Sequence, residues 1–385
     1  MTRRPPRRAV PLCVLLSGLL AGTLLRPTSA AHALVIPGAD PDAAPPTAAA
    51  GDRTPPSASA RLRVDGSLSD IVALGPQNVW AVGQEGVWDD WQSRGVITHW
   101  DGSSWNAVGI RNDASGAGRL RSVAAASPTE LWAVGEGHDS RPYVVRGDGS
   151  TFDRIDVATL RAGDWLGGVA AVPGRVVTVG SRDGHPMIAT GASGRWSVVT
   201  RKARGTLYGV ALLSAKDGWA VGETTSGPLV LRLSGGKWKQ VRVPRVKGGF
   251  LRDVHADGPK RVVAIGGVYR SSGAIHPLAL RWNGKRWTRM RVPDRPAELY
   301  GVTGDAAGRF WAAGFDPARP GEPFLLRYAD GRWRTERGRK AGAGRTVRLL
   351  AVTHVTGLTM AVGHVVDGSG RYTDLIETVQ GDERT

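Results

Sequence analysis

VWAVG at residues 79–83 is the stretch that decides the fold, because variants of it return six more times. They are LWAVG at 131–135, VVTVG at 176–180, GWAVG at 218–222, VVAIG at 262–266, FWAAG at 310–314 and TMAVG at 359–363, at intervals of 42 to 52 residues. A fixed period of this size is the mark of a repeat architecture. About a dozen residues before each copy stands a leucine followed three residues later by Val or Ile: Leu68, Leu120, Leu166, Leu207, Leu251, Leu299 and Leu349. After each of the first six copies comes a turn and an aromatic, as in WDGSSW ending at Trp105, with counterparts at Phe152, Trp196, Trp238, Trp287 and Trp333. Asp-Gly and Asn-Gly between apolar runs favour tight hairpins, since both turn residues tolerate positive φ.

Each unit therefore reads as four short strands. The WAVG strand is apolar on both faces, so it is expected between two layers of protein rather than against water. Such sheets are covered on every face when stacked radially, which predicts an all-β, seven-bladed β-propeller of four-stranded antiparallel blades starting near 68, 120, 166, 207, 251, 299 and 349. The seventh unit lacks a fourth strand before the chain stops. ARLRV at 60–64 supplies one, so an N-terminal strand is expected to complete the last blade and close the ring.

Residues 1–33 read as a secretory signal. An arginine-rich start precedes an apolar stretch from Ala9 to Leu25 and small residues that place cleavage after Ala30 or Ala33. Residues 34–59, rich in Pro and Ala, read as a disordered linker, and 60–385 as the propeller. The expected location is secreted or associated with the cell envelope, with no membrane span once the signal is cleaved. Cys13 is the only cysteine and lies inside the signal, so the mature chain has no disulfide, thiolate ligand or cysteine nucleophile. The formal charge of +17 includes five signal arginines, yet the remainder stays basic.

The succession of WAVG, a strand and DGSSW resembles repeat-rich secreted β-propellers and, more distantly, kelch and Asp-box (bacterial neuraminidase) repeats. The kelch glycine doublet appears only at Gly266–Gly267, and WDGSSW lacks the Asp-box spacing. The resemblance covers residues 60–385 and implies the fold. It implies no activity, because propellers host many unrelated functions.

Strand order puts the short first-to-second and third-to-fourth turns on one face and the variable connections on the other, where function is expected. Eleven of the fourteen tryptophans fall on repeat positions; Trp88, Trp91 and Trp165 do not, and are assigned to variable-face loops. Trp88, Asp89, Asp90 and Trp91, in GVWDDWQSRG, suit a sugar, with rings stacking on its C–H face and carboxylates accepting from hydroxyls; they equally suit rings folded back on a neighbouring blade and turn-capping carboxylates. Basic loops carrying Arg201, Lys202 and Arg204, and Arg337, Arg339 and Lys340, suit an anionic polymer or simply a soluble surface.

Asp70, Asp253, Glu136 and Glu223 are expected near the channel mouth. His138, His185, His276 and His364 lie in four blades with no ligand spacing, and no cofactor or metal motif is present. The leading expectation is a noncatalytic, monomeric extracellular propeller that binds a glycan or other envelope polymer. A secreted carbohydrate-active hydrolase or lyase, and an envelope protein-interaction platform, stand as alternatives. Nucleic acid is not an expected partner, because the basic loops lack interleaved aromatics.

Overall fold

The computed structural model describes residues 62, 65–88, 93–113, 116–139 and 141–379. Every regular element among them is a β-strand, and the strands form seven sheets in chain order, antiparallel except for one short pair, the blades of a β-propeller. The innermost strands are Ser67–Gly75, Ala117–Ser127, Trp165–Val172, Gly205–Ser214, Gly249–Gly258, Glu298–Gly304 and Thr346–Val355. No helix is long and apolar enough to cross a membrane among the described residues.

Alternation within the WAVG strands explains where the core lies. Trp80 and Val82 face blade two, while Val79 and Ala81 face blade seven. Repeated around the ring, this gives seven apolar clusters, one at each junction between neighbouring blades. The cluster joining blades seven and one includes Leu68, Ile71, Met360 and Ile376, so packing closes the ring.

Blade two has five strands, because Ile110–Arg111, leaving blade one, pairs parallel with the outer strand Phe152–Arg154. Blade seven has three strands among the described residues. The expected closing strand at 60–64 falls outside them except for Leu62, whose side chain packs on the cluster between blades seven and one. Deleting residues 34–64 is expected to lower the melting midpoint by about 5 °C or more, whereas deleting 34–58 leaves it unchanged; differential scanning calorimetry of the two truncations checks this.

The glycine that ends each WAVG copy has a steric reason. In all seven blades the pairing of first and second strands shifts register just after the repeat leucine, as a β-bulge. The bulge presses the carbonyl before that leucine onto the second strand. A Cβ on Gly222 would stand 2.0 Å from the Thr206 oxygen, and one on Gly180 1.7 Å from that of Trp165. Near the axis, Gly168, Gly209 and Gly301 face backbone of the next blade at under 3 Å, so the inner strands converge too closely for side chains there.

Candidate binding face

Each bulge also aims one residue into the central channel at its variable-face end. These are Ser69, Arg121, Gly167, Tyr208, Arg252, Tyr300 and Leu350, lining a cavity of about 420 Å³. The larger ones interlock as a belt of arginines and aromatics over blades two to seven. Arg121 donates to Glu136 at 2.6 Å and lies 5.4 Å over the Trp165 ring, which meets Tyr208 edge-on at 5.8 Å. Tyr208 donates to Glu223 at 2.6 Å. Further round, Tyr300 donates to Glu298 at 2.7 Å and accepts from Arg348 at 2.7 Å.

Arg252 differs from its neighbours. Its guanidinium lies 4.9 Å over Tyr300 and 5.3 Å over Phe250, and it makes no ion pair among the described residues. A cation held between two ring faces is oriented without being neutralised. Burial, followed by the adjacent Glu223 or Glu298, pushes the Tyr208 and Tyr300 phenols up, so both remain neutral O–H groups.

Beneath this belt, Asp70 and Asp253 tie one inner strand to the next. Asp70 accepts from Ile71 N at 2.8 Å and, across the blade junction, from Ser122 Oγ at 2.7 Å and Val123 N at 2.9 Å. Asp253 accepts from Val254 N and Val302 N, both at 2.8 Å. Ser122 makes the corresponding tie from blade two to blade three, its Oγ accepting from Val169 N at 3.1 Å. Both aspartates touch the channel space, but protein surrounds that space, and this desolvation raises their pKa values to about 6 for Asp70 and about 7 for Asp253. The donors oppose the rise, and the Asp70 charge adds to it at Asp253.

The structure separates the residues expected from sequence. Trp88 is 61% exposed, yet its indole N–H donates to the Gly370 carbonyl at 3.1 Å and its ring meets Tyr372 edge-on at 5.4 Å, bridging blade one to blade seven. Asp89, Asp90 and Trp91 lie outside the described residues. Trp165 is not in a loop as expected: it opens the inner strand of blade three, because its carbonyl is the one pressed against Gly180 by the bulge.

Lys202, Arg204, Arg339 and Lys340 are exposed. Arg201 and Arg337 serve internal ties. Arg201 donates to the Trp238 carbonyl at 2.6 Å, and Arg337 pairs with Asp316 and Glu322 while covering Phe324. Glu136 and Glu223 stand at the mouth as expected, each already hydrogen-bonded. His364 bonds Ser67 Oγ at 2.8 Å, and burial, then Arg348 and Arg119, lowers its pKa to about 4. No group of three or more His, Cys, Asp or Glu is placed to hold a metal ion among the described residues.

Sequence reasoning missed Arg121, Tyr208, Arg252, Tyr300 and Arg348 as mouth residues. A signal was present, since the first four directly follow the repeat leucine where smaller residues stand in other copies.

No protein-family model and no curated protein matches the sequence. Solved structures do. The chain is similar to YCF48 bound to a D1 peptide (16% identity, TM-score 0.57, covering 86% of this chain and 96% of that one). It is also similar to the WD40 β-propeller domain of Doa1 (13%, TM-score 0.53, 83% and 95%). A third likeness is to the β-propeller domain of the Trilobed protease from Pyrococcus furiosus, described as having an open velcro topology (10%, TM-score 0.53, 84% and 97%). At these identities the likeness lies in the fold, and the chain is a seven-bladed β-propeller.

Proposed function

We propose that this propeller is a noncatalytic extracellular binding platform that takes an anionic glycan or other envelope polymer on its variable face, anchored at the channel mouth. The observation that carries the reading is Arg252, a cation without an acid partner among the described residues, held between the rings of Phe250 and Tyr300, with Arg348 on the Tyr300 hydroxyl. A guanidinium held over ring faces rather than against a carboxylate keeps its charge for a carboxylate or phosphate of a ligand. Exposed Lys202, Arg204, Arg339 and Lys340 extend the positive field outward along the same face. The hydrogen-bonded state of Asp70 and Asp253 suits structural ties better than proton transfer, which favours binding over hydrolysis.

The test is binding to an array of teichoic acids, uronic-acid glycans and neutral glycans. Wild type is expected to prefer the anionic set, with affinity falling as salt rises and at least tenfold in Arg252→Ala. Lys202→Glu/Arg204→Glu is expected to weaken binding more mildly. Release of reducing ends, or equal binding by Arg252→Ala, contradicts the reading. A protein partner is the second reading, supported by the peptide-bound propeller of the same fold. Stoichiometric capture of one envelope protein without a glycan signal would establish it. Export is checked separately by N-terminal sequencing of the secreted chain, which should begin at residue 31 or 34.

A further inference from the structure

The outer walls of the blades carry charge unevenly around the ring. In blade four the fourth strand, Lys237–Gln240, packs Trp238 on the cluster shared with blade three and leaves Lys237 and Lys239 exposed. The chain then crosses toward blade five with Val241, Val243 and Val246 packed on the cluster between the two blades, while Arg242, Arg245 and Lys247 are exposed. In blade five Trp287 is buried against blade four and Met290 against blade six, and Arg286, Arg289 and Arg291 around them are exposed. In blade six Trp333 is buried, with Arg332 and Arg334 exposed on either side of it. Apolar anchors thus alternate with cations along one wall, and none of these cations makes a side-chain ion pair among the described residues.

The rest of the ring shows that this is a local feature. Residues 235–247 hold five cations and no acid, and residues 283–296 five cations and one acid. In the corresponding stretches of blades one and two, 101–113 and 147–161, acids outnumber cations by two to one and three to two. Charge on an edge strand guards against pairing with another chain. That need is met elsewhere with far less, since the outer strand of blade one, Trp105–Val108, carries no charge and that of blade three, Arg195–Thr200, carries one cation.

We propose that the outer wall of blades four to six binds a long, flexible polyanion without aromatic groups, lying across the three blade edges. Alternate residues of a strand, such as Lys237 and Lys239 or Arg332 and Arg334, stand roughly 7 Å apart, so each edge offers a short row of cations to successive charges of a chain. Arginines form the larger share, and their forks suit phosphate or carboxylate oxygens. The three walls follow the convex circumference of the ring, which a flexible chain can follow and a flat bilayer or a stiff duplex meets only at a tangent. Trp88, Val199 and Tyr269 are the exposed large apolar side chains among the described residues, and none stands on this wall. It therefore lacks both the apolar anchors of a bilayer-inserting surface and the ring faces on which bases stack. The wall is separate from the channel mouth, so the two sites stand or fall independently.

The experiment is calorimetric titration with long-chain inorganic polyphosphate, tripolyphosphate and phosphatidylglycerol vesicles. The long chain is expected to bind at least tenfold more tightly per phosphate than tripolyphosphate, and to weaken at least tenfold between about 50 and 200 mM salt. Lys239→Glu/Arg334→Glu should weaken it at least tenfold, whereas Arg141→Glu/Arg161→Glu, which makes the same change in net charge at exposed positions away from the wall, weakens it less than twofold. Arg252→Ala retains the binding, which keeps the result apart from the channel mouth. Melting curves confirm that the variants fold, and Lys239→Gln/Arg334→Gln replaces the charge reversal if it does not. Equal losses in the two double variants would reduce the effect to net charge and overturn the proposal. Equal binding of long and short phosphates overturns it as well, as does tighter binding to the vesicles that Lys239→Glu/Arg334→Glu abolishes, which would make the wall a membrane surface.

Discussion

Gly222→Ala is expected to destabilise the propeller by more than about 3 kcal/mol, while Gly75→Ala changes stability by less than about 0.5 kcal/mol. Both glycines lie in strands of the innermost hairpins, and neither has a positive φ, so conformational freedom does not separate them. Space does. A Cβ on Gly222 would meet the Thr206 oxygen at 2.0 Å and the Leu207 Cα at 2.7 Å, and both are backbone atoms that a rotamer change cannot move. Around Gly75 nothing lies within 4 Å. Relief at Gly222 would require flattening the bulge, which would also withdraw Tyr208 from the mouth. Urea denaturation midpoints of the two variants decide it; similar small losses in both would mean that the bulge yields readily.

The second large effect is on the pH dependence of stability. Asp253 has a folded pKa of about 7 against an ordinary value of 3.8, and Asp70 about 6. A carboxyl whose pKa is raised by folding holds its proton more tightly in the folded chain. Its contribution is fully present below about pH 4 and is lost as pH rises through 6 and 7. From pH 5 to pH 8 the wild type should therefore lose on the order of 2 kcal/mol more than Asp253→Asn. The substitution also opposes an amide N–H₂ to one of the two backbone donors, which costs about 1 kcal/mol or more at every pH. That offset moves the level and leaves the slope as the readout. Parallel stability profiles for wild type and Asp253→Asn would show that the carboxyl ionises normally in the channel.

Much of this architecture was legible in the chain because its signals are local and repeated. Apolar runs on both faces of the WAVG strand required two covering layers, and the clusters at every blade junction supply them. The glycine at the end of that strand was visible as a mark, but its cause was not, since a bulge in the partner strand leaves no compositional trace. Trp165 was placed one element too early for the same reason. Arg201 and Arg337 looked like free charge because composition does not reveal a carbonyl from another hairpin or a buried aspartate reached across a loop. The pairing of Arg252 with two rings needed three-dimensional placement, as Phe250, Arg252 and Tyr300 come from two blades.

The recurring bulge makes the mouth a rosette of seven petals, most of which can be exchanged one at a time. Because the inserted residue stands outside the ladder, Ser69, Arg121, Gly167, Tyr208, Arg252, Tyr300 and Leu350 occupy equivalent seats although they range from glycine to arginine and tyrosine. A change at a seat with room alters what the rosette presents while the framework's alternation of buried side chains stays in phase, whereas a Cβ on Gly167 would stand 2.5 Å from the Trp165 ring. Recognition can thus drift around the circle without renegotiating the scaffold.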